Sequence, residues 1–141
     1  QLMNAYSCTE CGRCTSECPA NQTGKKLSPR KIMMDTRDRL EKVSLNISNN
    51  KGKFVDDGDR LLDNYISKEE LWACTSCNAC VEACPINIDP LSIIMDMRQY
   101  LIMEESSAHP DLNNMMNNIE NNGAPWPYNQ LDRELWAQET Q

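Results

Sequence analysis

Cys8, Cys11, Cys14 and Cys18 are followed by Pro19, and Cys74, Cys77, Cys80 and Cys84 by Pro85. Each run reads C-x₂-C-x₂-C-x₃-C-P, and together they use all 8 cysteines. Thiols at this spacing suit an iron–sulfur cube. Cysteines three apart recur about once per turn of tight, helix-like backbone, so three sulfurs can grip one face of a cube. The longer gap carries the fourth cysteine past that cube, and the proline after it is expected to stop the turn from continuing as a helix. In such runs the fourth cysteine serves the other cluster. The spacing therefore assigns Cys8, Cys11, Cys14 and Cys84 to one [4Fe–4S] cluster, and Cys74, Cys77, Cys80 and Cys18 to a second. Local ligation, each run keeping its own four, is the competing arrangement.

Two other uses of the cysteines are weaker. Disulfide frameworks belong to short secreted chains, and nothing here resembles a signal peptide. Zinc sites use C-x₂-C pairs, but zinc has no use for a third cysteine at the same interval or for the repeated C-P ending. A zinc-stapled interaction module is the alternative of another class. With all the cysteines assigned to iron, no nucleophile or general base is assigned and the catalytic set is empty. His109, the only histidine, reads as a surface or structural residue because both quartets are complete.

Residues around the thiols fit this use. Thr9, Gly12, Thr15, Thr75, Ser76 and Ala79 are small and let backbone N–H groups approach sulfur. Ile86 and Ile88 are candidates to cover a cluster, and Trp72 is expected to pack in the core near one.

Helices must hold these runs. Leu2 to Ser7 is a short lead-in open to helix, and Asn21 to Lys26 a polar loop. Ser28 is a good N-cap and Pro29 a good first helical residue, for a helix running to about Val43 with Ile32, Thr36, Leu40 and Val43 on one face. Ser44 to Asp59 reads as a loop whose Asp56, Asp57 and Asp59 form a solvated acidic turn, without EF-hand spacing. Leu61, Leu62, Tyr65 and Ile66 form a short apolar segment, and Ser67 to Glu70 a capping box that opens a helical turn into the second run. Asp89 and Pro90 start another helix, apolar nearly all round and so expected to be buried on several sides.

The two helices that follow the cysteine runs align without gaps. Pro29, Ile32, Met34, Asp35, Arg37 and Leu40 match Pro90, Ile93, Met95, Asp96, Arg98 and Leu101. This internal repeat predicts a pseudo-two-fold arrangement. Arg37 and Arg98 are expected to bind neighbouring aspartates rather than to offset cluster charge. Asp111 to Asn121 is a third helix with Gly123 as its cap; its five asparagines, with Asn122 beside them, have no functional reading. A Pro-rich bend at Ala124 to Tyr128 and a short amphipathic helix around Leu131, Leu135 and Trp136 close the chain. The domain reading is a two-cluster domain at 1–105, with 44–66 as connector, and a C-terminal helical extension at 106–141. The chain opens on Gln1 and reads as a piece of something longer.

Composition bounds the function. Only 40% of the 141 residues are hydrophobic, so the core is thin and two clusters would act as staples. Formal charge is −7; two loaded clusters bring it to about −11. That argues against nucleic acid, and no apolar run is long enough to insert into a membrane.

Both runs, Glu70-Leu71-Trp72-Ala73-Cys74 at the entry to the second, Ile88-Asp89-Pro90 at its exit, and Met97-Arg98 resemble the dicluster module of the Fe–S oxidoreductase family. That family includes the small iron–sulfur subunits of heterodisulfide reductase, of anaerobic glycerol-3-phosphate dehydrogenase and of glycolate oxidase. Pro125-Trp126, Arg133 and Trp136-Ala137 resemble the segment after the module, although Ala124 and Pro127 replace the family's usual flanking residues. The resemblance implies an α-helical ferredoxin fold and electron transfer within an oxidoreductase. It also implies a redox partner: a flavoprotein, a cysteine-rich Cys-Cys-Gly domain or a quinone-linked membrane subunit. The implied location is the cytoplasm or the cytoplasmic face of a membrane complex. A free-standing soluble two-cluster ferredoxin is the alternative.

Overall fold

A proline behind a capping side chain opens each of the three longest helices. The protein is described at residues 2–138 by a computed structural model. Its helices are α1 (Leu2–Ser7), α2 (Arg13–Ser16), α3 (Pro19–Gln22), α4 (Pro29–Asn49), α5 (Lys68–Ala73), α6 (Ala79–Glu82), α7 (Pro90–Met103), α8 (Pro110–Asn122) and α9 (Leu135–Gln138). The architecture is all-α; among the described residues the only β pairing is an isolated bridge between Leu62 and Ile66. The chain divides into two compact units, 1–100 and 101–141.

In the first unit, Ser28 accepts the Lys31 N–H at the start of α4, and Asp89 accepts the Ser92 N–H at 2.9 Å at the start of α7. The capping box is complete at α5: the Ser67 hydroxyl accepts from the Glu70 N–H at 3.3 Å, and the Glu70 carboxylate accepts from the Ser67 N–H at 2.8 Å. α1 and the 61–65 segment both pack on α4. The buried apolar set includes Ala5, Leu27, Ile32, Met33, Leu62, Ile66, Leu71, Ile88, Ile93 and Ile94. It is small, as the composition requires.

Four expectations are corrected. The first is the loop at Asn21: α2 stops at Ser16 and Cys18 is extended, as a following proline requires, but Pro19 then opens a new helix, α3, where its missing N–H costs nothing, so that loop begins as a helical turn. α4 runs six residues beyond Val43, with Leu45 64% exposed and Ile47 half-buried, so burial is only part of what extends it. Asn46 adds to this by clamping the Val55 backbone: its carbonyl accepts the Val55 N–H at 3.0 Å and its amide donates to the Val55 carbonyl at 2.9 Å. The acidic turn is not merely solvated. Asp57 forms a fork with the buried Arg39 guanidinium, at 2.6 and 2.8 Å. Lastly, α7 buries Ile93, Ile94 and Leu101 but exposes Met95 and Tyr100, so its apolar circumference is only partly covered.

In the second unit, α8 spans the expected helix and ends on Gly123, whose φ of 65° favours glycine. His109 is its N-cap, with Nδ1 accepting from the Asp111 N–H. One asparagine gains a role: the Asn118 amide donates to the Pro125 carbonyl at 3.1 Å and holds the Pro-rich bend. The last helix is a 3₁₀ turn, Gln130–Glu134, followed by α9.

Two outcomes follow. Ser67→Ala should cost about 1 kcal/mol by removing the cap, seen as a lower denaturation midpoint. The Arg39 hydrogen bonds hold the Asp57 carboxyl well below its ordinary 3.8, at about 2. A depressed carboxylate pKa stabilises the folded state fully above the unfolded value, and this stabilisation is lost as pH falls from 3.8 toward 2. Amide exchange at residues 55–59, corrected for intrinsic rates, should therefore stay protected down to about pH 4. Asp57→Asn should lose that protection at every pH.

Candidate iron–sulfur centres

The cysteine runs share one backbone design. Glu10 and Ser76, each two residues after the first cysteine, have φ of 57° and 55°. Gly12 and Asn78, each just after the second cysteine, have φ of 81° and 62° and cap the short helices α2 and α6. Left-handed backbone at these two places turns the chain back on itself. α2 and α6, which carry the third cysteines Cys14 and Cys80, then pack against each other.

This packing creates two cavities. One is lined by Cys8, Cys11, Cys14 and Cys84, with Cys80 at its wall; the other is lined by Cys74, Cys77, Cys80 and Cys18. Each thus joins three cysteines of one run to the fourth of the other. The remaining walls match across the repeat. Ile88, Pro90, Arg30 and Met33 line the first, while Leu27, Pro29, Leu91 and Ile94 stand at the equivalent places in the second. Cys18 and Cys80 are buried; Cys11 and Cys77 are exposed.

Electrostatics follow the same grouping except where Cys14 and Cys80 face each other across it. Burial pushes the Cys14 thiol up, and Cys8, Cys11 and Cys84 add to the push against a hydrogen bond from Thr15. Burial pushes Cys80 up to about 11, with Cys74, Cys18 and Cys14 adding. Exposed Cys77 moves the other way, lowered by the Ala79 N–H and then by the Thr75 hydroxyl. Further backbone donors reach sulfur: Ser76 N–H to Cys74 Sγ at 3.4 Å and Ile88 N–H to Cys84 Sγ at 3.3 Å. The Ser76 and Ala79 N–H groups reach sulfur as expected of small residues there, whereas Thr15 and Thr75 act through their hydroxyls.

Ile86 and Ile88 both line the first cavity, Ile88 buried and Ile86 at the open edge. Trp72 lines neither cavity and is 38% exposed; Arg98 stacks 4.9 Å over its ring. It is not core packing because a residue just before the run faces outward from α5. Nor do the paired arginines chiefly serve neighbouring aspartates. Arg37 bonds Glu10 at 2.6 Å, with Asp38 at a looser 3.7 Å, and Arg98 bonds the backbone carbonyls of Leu71 and Cys74. The wall residues Leu27, Pro29, Arg30, Met33, Leu91 and Ile94 were missed as site residues. The repeat alignment carried the signal, because each has a partner in the opposite half.

Among the described residues, no three His, Cys, Asp or Glu side chains converge as one metal ion would require. A zinc ion needs its sulfurs all about 2.3 Å from one point. A cubane asks less convergence, since each thiolate holds its own corner. Four sulfurs in an otherwise largely apolar cavity, twice over, fit that larger group.

The family profile described as a 4Fe–4S dicluster domain matches residues 7–88, from before the first cysteine to past the last. The chain belongs to the 4Fe–4S dicluster family. Its cofactors are two [4Fe–4S] clusters, and it is an electron-transfer iron–sulfur module of the oxidoreductase type. It is 32% identical to the probable iron–sulfur-binding oxidoreductase FadF of Bacillus subtilis strain 168, over 99% of this chain and 24% of that protein. It is 29% identical to the EtfAB:quinone oxidoreductase of Syntrophomonas wolfei, over 98% of this chain and 22% of that protein. With an iron–sulfur subunit of the CoB–CoM heterodisulfide reductase of Methanopyrus kandleri, identity is 32% over 60% of this chain and 33% of that protein. This dicluster chain thus spans about a quarter of the length of the first two relatives. No helix among its described residues is long and apolar enough to cross a membrane.

Because the apolar set is small and buried Cys18 and Cys80 sit within it, metal binding and folding should be coupled. Removing iron with a chelator under reducing conditions should abolish most of the helical far-UV circular dichroism signal. A fully retained native spectrum would contradict this.

Proposed function

We propose that this dicluster chain relays single electrons within a longer iron–sulfur oxidoreductase. In this reading Cys8, Cys11, Cys14 and Cys84 hold one cluster, and Cys74, Cys77, Cys80 and Cys18 hold the other. The observation that carries it is the crossed lining of the two cavities, three cysteines from one run and the fourth from the other. When bound, each cluster supplies a one-electron redox centre.

The chain's own residues set the surroundings of that centre. Ile88, Met33 and Pro90 on one side, and Leu27, Leu91 and Ile94 on the other, exclude water. The N–H groups of Ser76 and Ile88 donate to sulfur and favour negative charge there. Cys11 and Cys77 place the exposed edge of each site within reach of a partner, while Cys18 and Cys80 are buried between them.

The donor or acceptor in this proposal is a flavoprotein, a cysteine-rich Cys-Cys-Gly domain or a quinone-linked membrane subunit. The relatives' descriptions as an EtfAB:quinone oxidoreductase and as heterodisulfide reductase subunits support that range. Residues 1–105 form the two-cluster domain and 106–141 the extension toward another domain. The location is the cytoplasm or the cytoplasmic face of a membrane complex.

Serine replacements test the crossing on anaerobically prepared protein. Cys18→Ser should alter the same paramagnetic signal as Cys77→Ser, and Cys84→Ser the same one as Cys11→Ser. If Cys18→Ser alters the signal that Cys11→Ser alters, ligation is local and the crossed reading is wrong.

A further inference from the structure

The long helix of each repeat sends one arginine back to its own cysteine run. We propose that Arg98 is the positioning residue of the second run, and that Arg37, acting through Glu10, is its counterpart at the first. The inference rests on the ligand reading above and adds residues outside the cysteines to it.

Arg98 Nε and Nη2 donate to the Leu71 carbonyl at 3.0 and 2.6 Å, and Nη2 also donates to the Cys74 carbonyl at 2.6 Å. Nη1 lies 3.5 Å from the Ser76 hydroxyl. The stacked ring of Trp72 fixes the guanidinium plane from the other side. These carbonyls lie where α5 ends, and the Leu71 carbonyl also accepts the Cys74 N–H at 3.3 Å, so Arg98 reinforces a cap that the backbone has begun. The fork therefore fixes where the chain leaves α5 and enters the run. Ser76, at the far end of that fork, gives its N–H to Cys74 Sγ. A continuous set of bonds links the guanidinium to a ligand sulfur.

The first run is held at the matched place by different chemistry. Glu10 stands where Ser76 stands, with the same left-handed φ, which costs energy for a residue with a side chain. The Glu10 carboxylate, at the wall of the first cavity, accepts from Arg37 Nη2 at 2.6 Å. The pair is half-buried and solvent still reaches both partners, so its contribution to global stability is modest. Its effect here is local: it holds the strained residue between Cys8 and Cys11. Lysine cannot replace Arg98, because one ammonium cannot reproduce a planar fork shared between two carbonyls.

The test uses the cluster-loaded chain, prepared without air, with two readouts: the paramagnetic signal of each reduced site and the rate of iron release to a chelator. Cys77→Ser and Cys11→Ser mark which signal belongs to which site. Arg98→Gln and Arg98→Lys should both change the second-site signal and weaken iron retention there about tenfold or more. Arg37→Gln and Glu10→Gln should do so at the first site only. Circular dichroism should be unchanged in all four. The proposal is overturned if Arg98→Gln leaves the second-site signal and iron release unchanged, if Arg98→Lys restores both, or if every variant disturbs both sites equally. If the serine variants fail to separate the signals, the ligand reading falls. The arginine proposal then stands or falls on whether Arg37→Gln and Arg98→Gln disturb different signals.

Discussion

Bringing several thiols into one small interior is the constraint on which this fold depends. Cys18 and Cys80 are buried among other cysteines, and burial together with neighbouring sulfur raises Cys80 to about 11. Thiolates do not accept such surroundings without cations, since desolvation and like charge act in the same direction. Iron reverses the balance, because a coordinated thiol is deprotonated outright. The same groups that oppose one another in a bare chain become its strongest cross-links in a loaded one. In the proposed crossed ligation, residues far apart in sequence are then fastened together within a poorly cored helical unit.

The remaining architecture serves that arrangement through a duplicated plan. Left-handed residues at Glu10 and Gly12, and again at Ser76 and Asn78, curl each run. Proline-led helices α4 and α7 follow, and each supplies wall residues to both cavities: Pro29 to one and Met33 to the other from α4, Pro90 to one and Ile94 to the other from α7. Neither half can make a complete cavity alone. Arg30 against Leu91 is the main chemical difference between the two linings, apart from Glu10, whose charge Arg37 answers.

Much of this was legible in the chain because the signals are local. Cysteine spacing, Ser28-Pro29, Asp89-Pro90, the Ser67 to Glu70 box and Gly123 each specify their structure within a few residues. What was not legible depends on distant partners. The last turns of α4 rest partly on Asn46 meeting Val55, and the acidic turn on Asp57 meeting Arg39. Arg98 was misread because its acceptors are backbone carbonyls, which have no residue type to recognise. Trp72 was misread because an aromatic beside a metal motif suggests packing, whereas its ring serves as a platform for a guanidinium.

Cys80 lines both cavities. At that point the partition between the two centres is one residue thick, and that residue is only 8% exposed. Little solvent can lie in such a gap to reorient as charge crosses it. The environment that responds is then mainly fixed amide dipoles, already oriented by α2 and α6. In the proposed relay, an electron passing at Cys80 is thereby kept apart from the polarisable water at the exposed Cys11 and Cys77.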